Sequence, residues 1–129
     1  MKRKLTHITL LVNDYDEAIE FYTKKLGFIL LEDTVLSETK RWVLIGPDKV
    51  EGCKLLLAKA SGETQEKAVG NQSGGRVFLF MYTDDLERDY KDYTANGVEF
   101  ARHPVQEAWG KVAVFKDLYD NLWDLIEST

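Results

Sequence analysis

The sequence predicts an α+β fold of two βαβββ modules, and two observations carry the prediction. Thr6–Phe28, THITLLVNDYDEAIEFYTKKLGF, reads as strand, cap, helix, stop and second strand. About seventy residues later Val77–Val98, VFLFMYTDDLERDYKDYTANGV, runs through the same order. An internal repeat of a supersecondary unit is an architectural signal and outranks any single local one.

In the first module, the β-branched and aliphatic run ending at Val12 makes Leu5–Val12 the first strand. Asp14 is a helix cap, with Glu17 at capping-box spacing. Tyr15, Ala18, Ile19, Tyr22 and Leu26 recur at helical spacing and give a helix over Tyr15–Leu26 one apolar face. Gly27 can take the left-handed conformation that ends it. Strands follow at Phe28–Asp33, Arg41–Ile45 and Lys54–Ala58, with turns around Ser37-Glu38 and at Gly46-Pro47-Asp48. Leu55–Leu57 is uniformly apolar, so alternation does not say which face of that strand points inward. Residues 1–59 form this module, and the glycine-rich, polar stretch Ala60–Gly75 is a linker carrying a short helix at Glu63–Val69.

Residues 76–129 form the second module. At a constant offset of 70 (84 − 14), Asp14 falls on Asp84, Glu17 on Glu87 and Gly27 on Gly97. The helix interior keeps another phase: Tyr15, Ile19 and Tyr22 match Leu86, Tyr90 and Tyr93 at an offset of 71 (86 − 15). The punctuation therefore repeats better than the residues between. Strands are expected at Arg76–Tyr82, Val98–Arg102, Lys111–Phe115 and Leu122–Glu127, with a helix over Leu86–Ala95. Pro104, Glu107, Trp109 and Gly110 lie on a loop. Asp117–Asn121 is the last hairpin, with Asp120 or Asn121 taking a positive φ. Four strands and one helix cannot cover both faces of a sheet. The two modules are expected to form a curved mixed sheet around a shared cleft, paired within one chain or exchanged between two.

Composition bounds the function. The chain has 129 residues, 44% of them hydrophobic and 30% charged, which is one ordinary globular domain. A net charge of −5 argues against a nucleic-acid partner, which needs a basic face. The single cysteine, Cys53, excludes an intrachain disulfide and a thiolate-rich zinc site, and fits a cytoplasmic protein. The amino-terminal MKRKL is not followed by an apolar run long enough for a leader, and no run approaches a membrane span. No glycine-rich phosphate loop, GxSxG elbow or HExxH helix occurs.

Three segments in order, HITLLVNDYDEAIEFYTKKLGF, GGRVFLFMYTDDLERDYKDYTANGVEF and VAVFKDLYDNLWDLIE, resemble the vicinal oxygen chelate superfamily over nearly the whole chain. This is the glyoxalase, bleomycin-resistance and extradiol dioxygenase group. The resemblance implies the βαβββ pair, a small-molecule ligand and a homodimer. It also implies a divalent metal site taking one ligand from the first and one from the last strand of each module. Carried over, two positions are His7 and Asp124, the latter where the family usually has glutamate. The other two fall on Arg76 or Val77 and within Lys54–Leu57, where no ligand side chain stands. A catalytic metal site generally keeps about three protein ligands. No metal cofactor is therefore expected, and any metal would rest on His7 and Asp124.

The ligand-binding candidates are His7, Trp42, Arg76, Glu107, Trp109 and Asp124, each with a plainer alternative. His7 is a metal ligand or a strand histidine donating a hydrogen bond into the cleft. Asp124, between Trp123 and Leu125, is a carboxylate in an apolar strand, placed there for function or for an ion pair. Arg76 pins an anionic group or pairs with an acid across the sheet. Glu107 and Trp109 belong to a loop over the cleft, and Trp42 is a ligand wall or core. His103 reads as a surface residue, and Tyr15, Tyr22, Tyr90 and Tyr93 as helix packing. Two function classes follow: a metal-free binding protein of the bleomycin-resistance kind, or a metal-dependent lyase or dioxygenase using His7 and Asp124.

Overall fold

A computed structural model describes residues 2–128, which divide into two compact units between Val69 and Gly70. The first holds β1 (His7–Val12), α1 (Tyr15–Glu20), β2 (Ile29–Val35), β3 (Arg41–Gly46), β4 (Lys54–Lys59) and α2 (Glu63–Ala68). Its four strands run in the order β1-β4-β3-β2, with β1 parallel to β4 and the other pairs antiparallel. The second holds β5 (Leu79–Tyr82), α3 (Leu86–Ala95), β6 (Phe100–Glu107), β7 (Gly110–Lys116) and β8 (Leu122–Ser128). Its order, β5-β8-β7-β6 with β5 parallel to β8, repeats the first. Each unit is thus a mixed four-stranded βαβββ sheet.

Alternation decides what each sheet does with its two faces. In the first unit Leu10, Val12, Val43, Ile45, Leu55 and Leu57 are buried on the side where α1 brings Tyr15 and Ala18 and the helical turn after it brings Tyr22. In the second, Ala113, Phe115, Trp123 and Leu125 are buried on the side of α3, with Leu86 and Tyr93. Phe115 stacks on Trp123 with ring centroids 5.7 Å apart, and Tyr93 meets Phe115 edge-on at 5.3 Å. Of the four tyrosines read as packing residues, Tyr90 is only half-buried: its hydroxyl lies 2.7 Å from Nδ1 of the exposed His103.

The two helices explain the conflicting offsets. Asp14 caps α1 by accepting the Glu17 N–H at 2.8 Å, but the cap of α3 is Asp85, which accepts the Arg88 N–H at 3.0 Å. Asp84 is not the cap; it pairs with Arg88 on the surface at 2.8 Å. The stops remain Gly27 and Gly97, at φ 73° and 86°. From cap to stop the first helix therefore has one residue more than the second (27 − 14 against 97 − 85). It houses the extra residue in a π-helical turn over Phe21–Lys25, so the expected continuous α-helix ends at Glu20.

Two strand boundaries also differ from expectation. β5 begins at Leu79, so Arg76 precedes it. β6 runs on to Glu107, which places Pro104 and Glu107 in a strand and leaves a two-residue turn, Ala108-Trp109, before β7. Proline is tolerated there because β6 is an edge strand, and the register shifts between Arg102 and Val105. Gly110 closes the turn at φ 152°, where an added Cβ would lie 2.2 Å from the Glu127 carbonyl oxygen.

The last hairpin is held by one carboxylate. Asp117 is 4% exposed and accepts the N–H groups of Tyr119 at 2.8 Å and Asn121 at 2.9 Å, and the Asn121 side-chain amide at 2.8 Å. Asp120 takes the positive φ, at 69°. Removing Asp117 strands buried donors that were bonded to a charge, whereas removing a cap strands one donor near water. Urea unfolding should therefore show Asp117→Ala costing about 3 kcal/mol or more, against about 1 kcal/mol for Asp85→Ala.

Candidate functional site

The chemistry available to each unit lies on the sheet face turned away from its helix. In the first, β1 puts His7 and Thr9 there, β3 puts Trp42 and Leu44, and β4 puts Leu56, which pairs with both Thr9 and Leu44. His7 is exposed, and its ring meets Trp42 edge-on at 6.3 Å between centroids. Trp42 is half-buried on this face and is not part of the core. His7 also borders a cavity of about 580 Å³ with Leu44, Cys53 and Lys54. The Lys54 ammonium, on a residue only 7% exposed, is engaged by the backbone carbonyls of Asp48 and Glu51 and so fastens the loop between β3 and β4.

In the second unit the same face carries a row Phe80, Asp124, Val114 and Arg102, each residue paired to the next across the sheet. Asp124 is half-buried between two apolar neighbours. Burial holds its carboxyl above the ordinary carboxylate range, and the charge of Arg102 pulls the other way. Among the described residues its side chain has no hydrogen-bond or ion-pair partner, and neither has that of Arg76. Arg76 therefore does not make the cross-sheet ion pair that was its plainer reading. Arg76, Val77, Phe80 and Asp124 border a pocket of about 400 Å³. Glu107 pairs with Arg102 at 3.4 Å. Trp109 stands on the β6–β7 turn with 52% of its surface exposed.

Sequence reading missed Phe80 and Tyr82, which are 66% and 79% exposed on the edge strand β5. Phe80 sits on the row of Asp124, and Tyr82 pairs with Ile126 on the next row. The run LFMY gives no polar alternation, so only the paired strand reveals which of its residues face outward.

Residues 4–125 match the model of the Glyoxalase/Bleomycin resistance protein/Dioxygenase superfamily. The chain belongs to this family. It is 54% identical over 128 residues to an uncharacterized protein of Shewanella frigidimarina, covering 98% of this chain and 95% of that one. It is 32% identical to the uncharacterized protein YurT of Bacillus subtilis, covering 96% and 98%. Among solved structures it is similar to UcmS2, with 29% identity, a TM-score of 0.85 and 98% of each chain covered. It is also similar to TnmS3, an antibiotic binding protein from Streptomyces sp. CB03234, with 25% identity, a TM-score of 0.80 and coverage of 99% and 98%.

Counted from the caps, the position of His7 in the second module is Phe78, not Arg76 or Val77 (78 − 7 and 85 − 14 are both 71). By register, the position of Asp124 in the first module is Leu56. A phenyl ring and an isobutyl group donate no lone pair, so the four positions offer two donors. Among the described residues no three histidines, cysteines or acids come together to hold a metal. The divalent metal that the family implies does not fit this donor set. Protein purified without a chelator or a metal-binding tag should carry well under one equivalent of zinc, nickel, manganese or iron by elemental analysis. About one equivalent per chain, lost together in His7→Ala and Asp124→Ala variants, would reinstate the metal site.

Proposed function

We propose that this chain is a metal-free binding protein that sequesters a small, partly aromatic molecule. The observation that carries the reading is the pair Leu56 and Phe78 at two metal positions, set on faces furnished with Trp42, Leu44, Phe80 and Tyr82. Such faces offer apolar area and ring surfaces with few polar groups, which is how small-molecule sites are generally built. Likeness to TnmS3, an antibiotic binding protein, supports the same reading. The proposed contacts are His7 and Trp42 in the first unit, and Arg76, Glu107, Trp109 and Asp124, joined by Phe80 and Tyr82, in the second.

Titration of tryptophan fluorescence with a panel of aromatic antibiotics tests this. Binding at about 1 μM or tighter, corresponding to roughly −8 kcal/mol, and unchanged by EDTA is the expected result. Binding or turnover that appears only when a divalent metal is added would favour the lyase or dioxygenase alternative.

Asp124→Asn separates function from structure. The substitution keeps the shape and removes a charge that burial opposes, so stability should stay within about 0.5 kcal/mol of the parent or rise slightly. Ligand affinity should fall. A lower melting temperature with unchanged affinity would make Asp124 a structural residue.

A homodimer completes the proposal, in the reducing cytoplasm that a lone thiol suits. Its support is the adjacent exposed apolar pair Val35 and Leu36, which a second copy would cover. Sedimentation at tens of micromolar should give twice the chain mass of 14.8 kDa, and a monomer would refute it.

A further inference from the structure

We propose that the pocket bordered by Arg76, Val77, Phe80 and Asp124 selects the polar end of the ligand: an aromatic ring bearing both a hydrogen-bond donor, received by Asp124, and an anionic group, received by Arg76. This rests on the small-molecule reading above and adds the chemical class of what is bound.

All four residues belong to the second unit, and the pocket of about 400 Å³ is ample for a substituted single ring. Its two charged groups are of opposite sign, and among the described residues neither has a hydrogen-bond or ion-pair partner. Arg41, Arg88 and Arg102 behave differently. Arg41 holds Asp16 at 2.9 Å and Asp33 at 2.6 Å, and Arg88 holds Asp84 at 2.8 Å and Asp89 at 3.0 Å. Arg102 shares a row with Asp124, but its guanidinium is taken by Glu107 at 3.4 Å. The charge of Arg102 is felt at Asp124, but its guanidinium makes no hydrogen bond there, which leaves the Asp124 oxygens to an incoming donor.

A half-buried carboxylate without a donor is costly, and a bound N–H or ammonium group removes that cost. Phe80, 66% exposed beside it, supplies a ring face for stacking. A purely cationic ligand would meet the like charge of Arg76, and a purely anionic one that of Asp124. A molecule carrying both groups avoids either repulsion, which is discrimination by charge placement.

Calorimetric titration of the intact protein at neutral pH with three one-ring probes tests the inference. They are para-(aminomethyl)benzoate, which carries both groups, benzylamine, with the donor alone, and benzoate, with the anion alone. The first should bind about tenfold or more tighter than either of the others. Asp124→Asn should weaken the first probe and benzylamine and tighten benzoate, whose like-charge repulsion it removes. Arg76→Gln should weaken the first probe and benzoate and tighten benzylamine, whose like-charge repulsion it removes. Amide shifts at Phe80 and Asp124 on adding the first probe locate the site in the parent protein, whether or not a variant folds. Equal affinities for the three probes, or shifts elsewhere, overturn the inference. If an uncharged polycyclic aromatic still binds in that case, the small-molecule reading stands without it; if that fails too, both fall.

Discussion

Each module has one helix and two sheet faces to cover, and this shortage governs the rest. Alternation gives the helix-facing positions to Leu10, Val12, Val43 and Ile45 in one module, and to Ala113, Phe115, Trp123 and Leu125 in the other. Full burial of such a side chain stabilises by about 1.5–3 kcal/mol. The opposite positions go to His7, Thr9, Trp42, Leu44 and Leu56, and to Phe80, Tyr82 and Asp124. Much of the hydrophobic gain on those faces is still unrealised in the chain alone. A surface that covered them would collect it.

The modules anchor their helices by different means. In the second, Glu127 on the last strand accepts the first N–H of α3, that of Leu86, at 2.8 Å, so the strand itself supplements the Asp85 cap. In the first, Tyr15 at the start of α1 accepts the Arg41 N–H at 3.3 Å, and the Arg41 guanidinium reaches Asp16 on the same helix and Asp33 on β2. Both arrangements pin a helix N-terminus to the sheet, where the unsatisfied donors lie. The buried side of each sheet is thereby fixed, and the rigid face behind it can present a site.

The fold was legible because caps, stops and turns are local. Asp14, Gly27, Gly97 and the Asp117–Asn121 turn each announce their role by residue type. What spans the sheet was harder to read. Pro104 and Glu107 looked like loop because an edge strand with a shifted register tolerates residues that a central strand would reject. Phe80 and Tyr82 stayed hidden in a run without polar alternation, and the counterpart of His7 in the repeat was misplaced because the helices differ by one residue. Asp124 stood out for the opposite reason: a lone acid among Trp123, Leu125 and Ile126 contradicts its surroundings.

The π-helical turn at Phe21–Lys25 bears on how such repeats diverge. A codon gained or lost in a strand turns every following side chain to the other face, exchanging core for solvent. Within a helix the same event can be absorbed as a wider turn, and the strands on either side keep their parity. Here β1 and β2 flank the longer helix and still present His7, Thr9 and Glu32 outward. The helix acts as an expansion joint: the hidden layer of the module can absorb a change in length while the exposed layer keeps its facing.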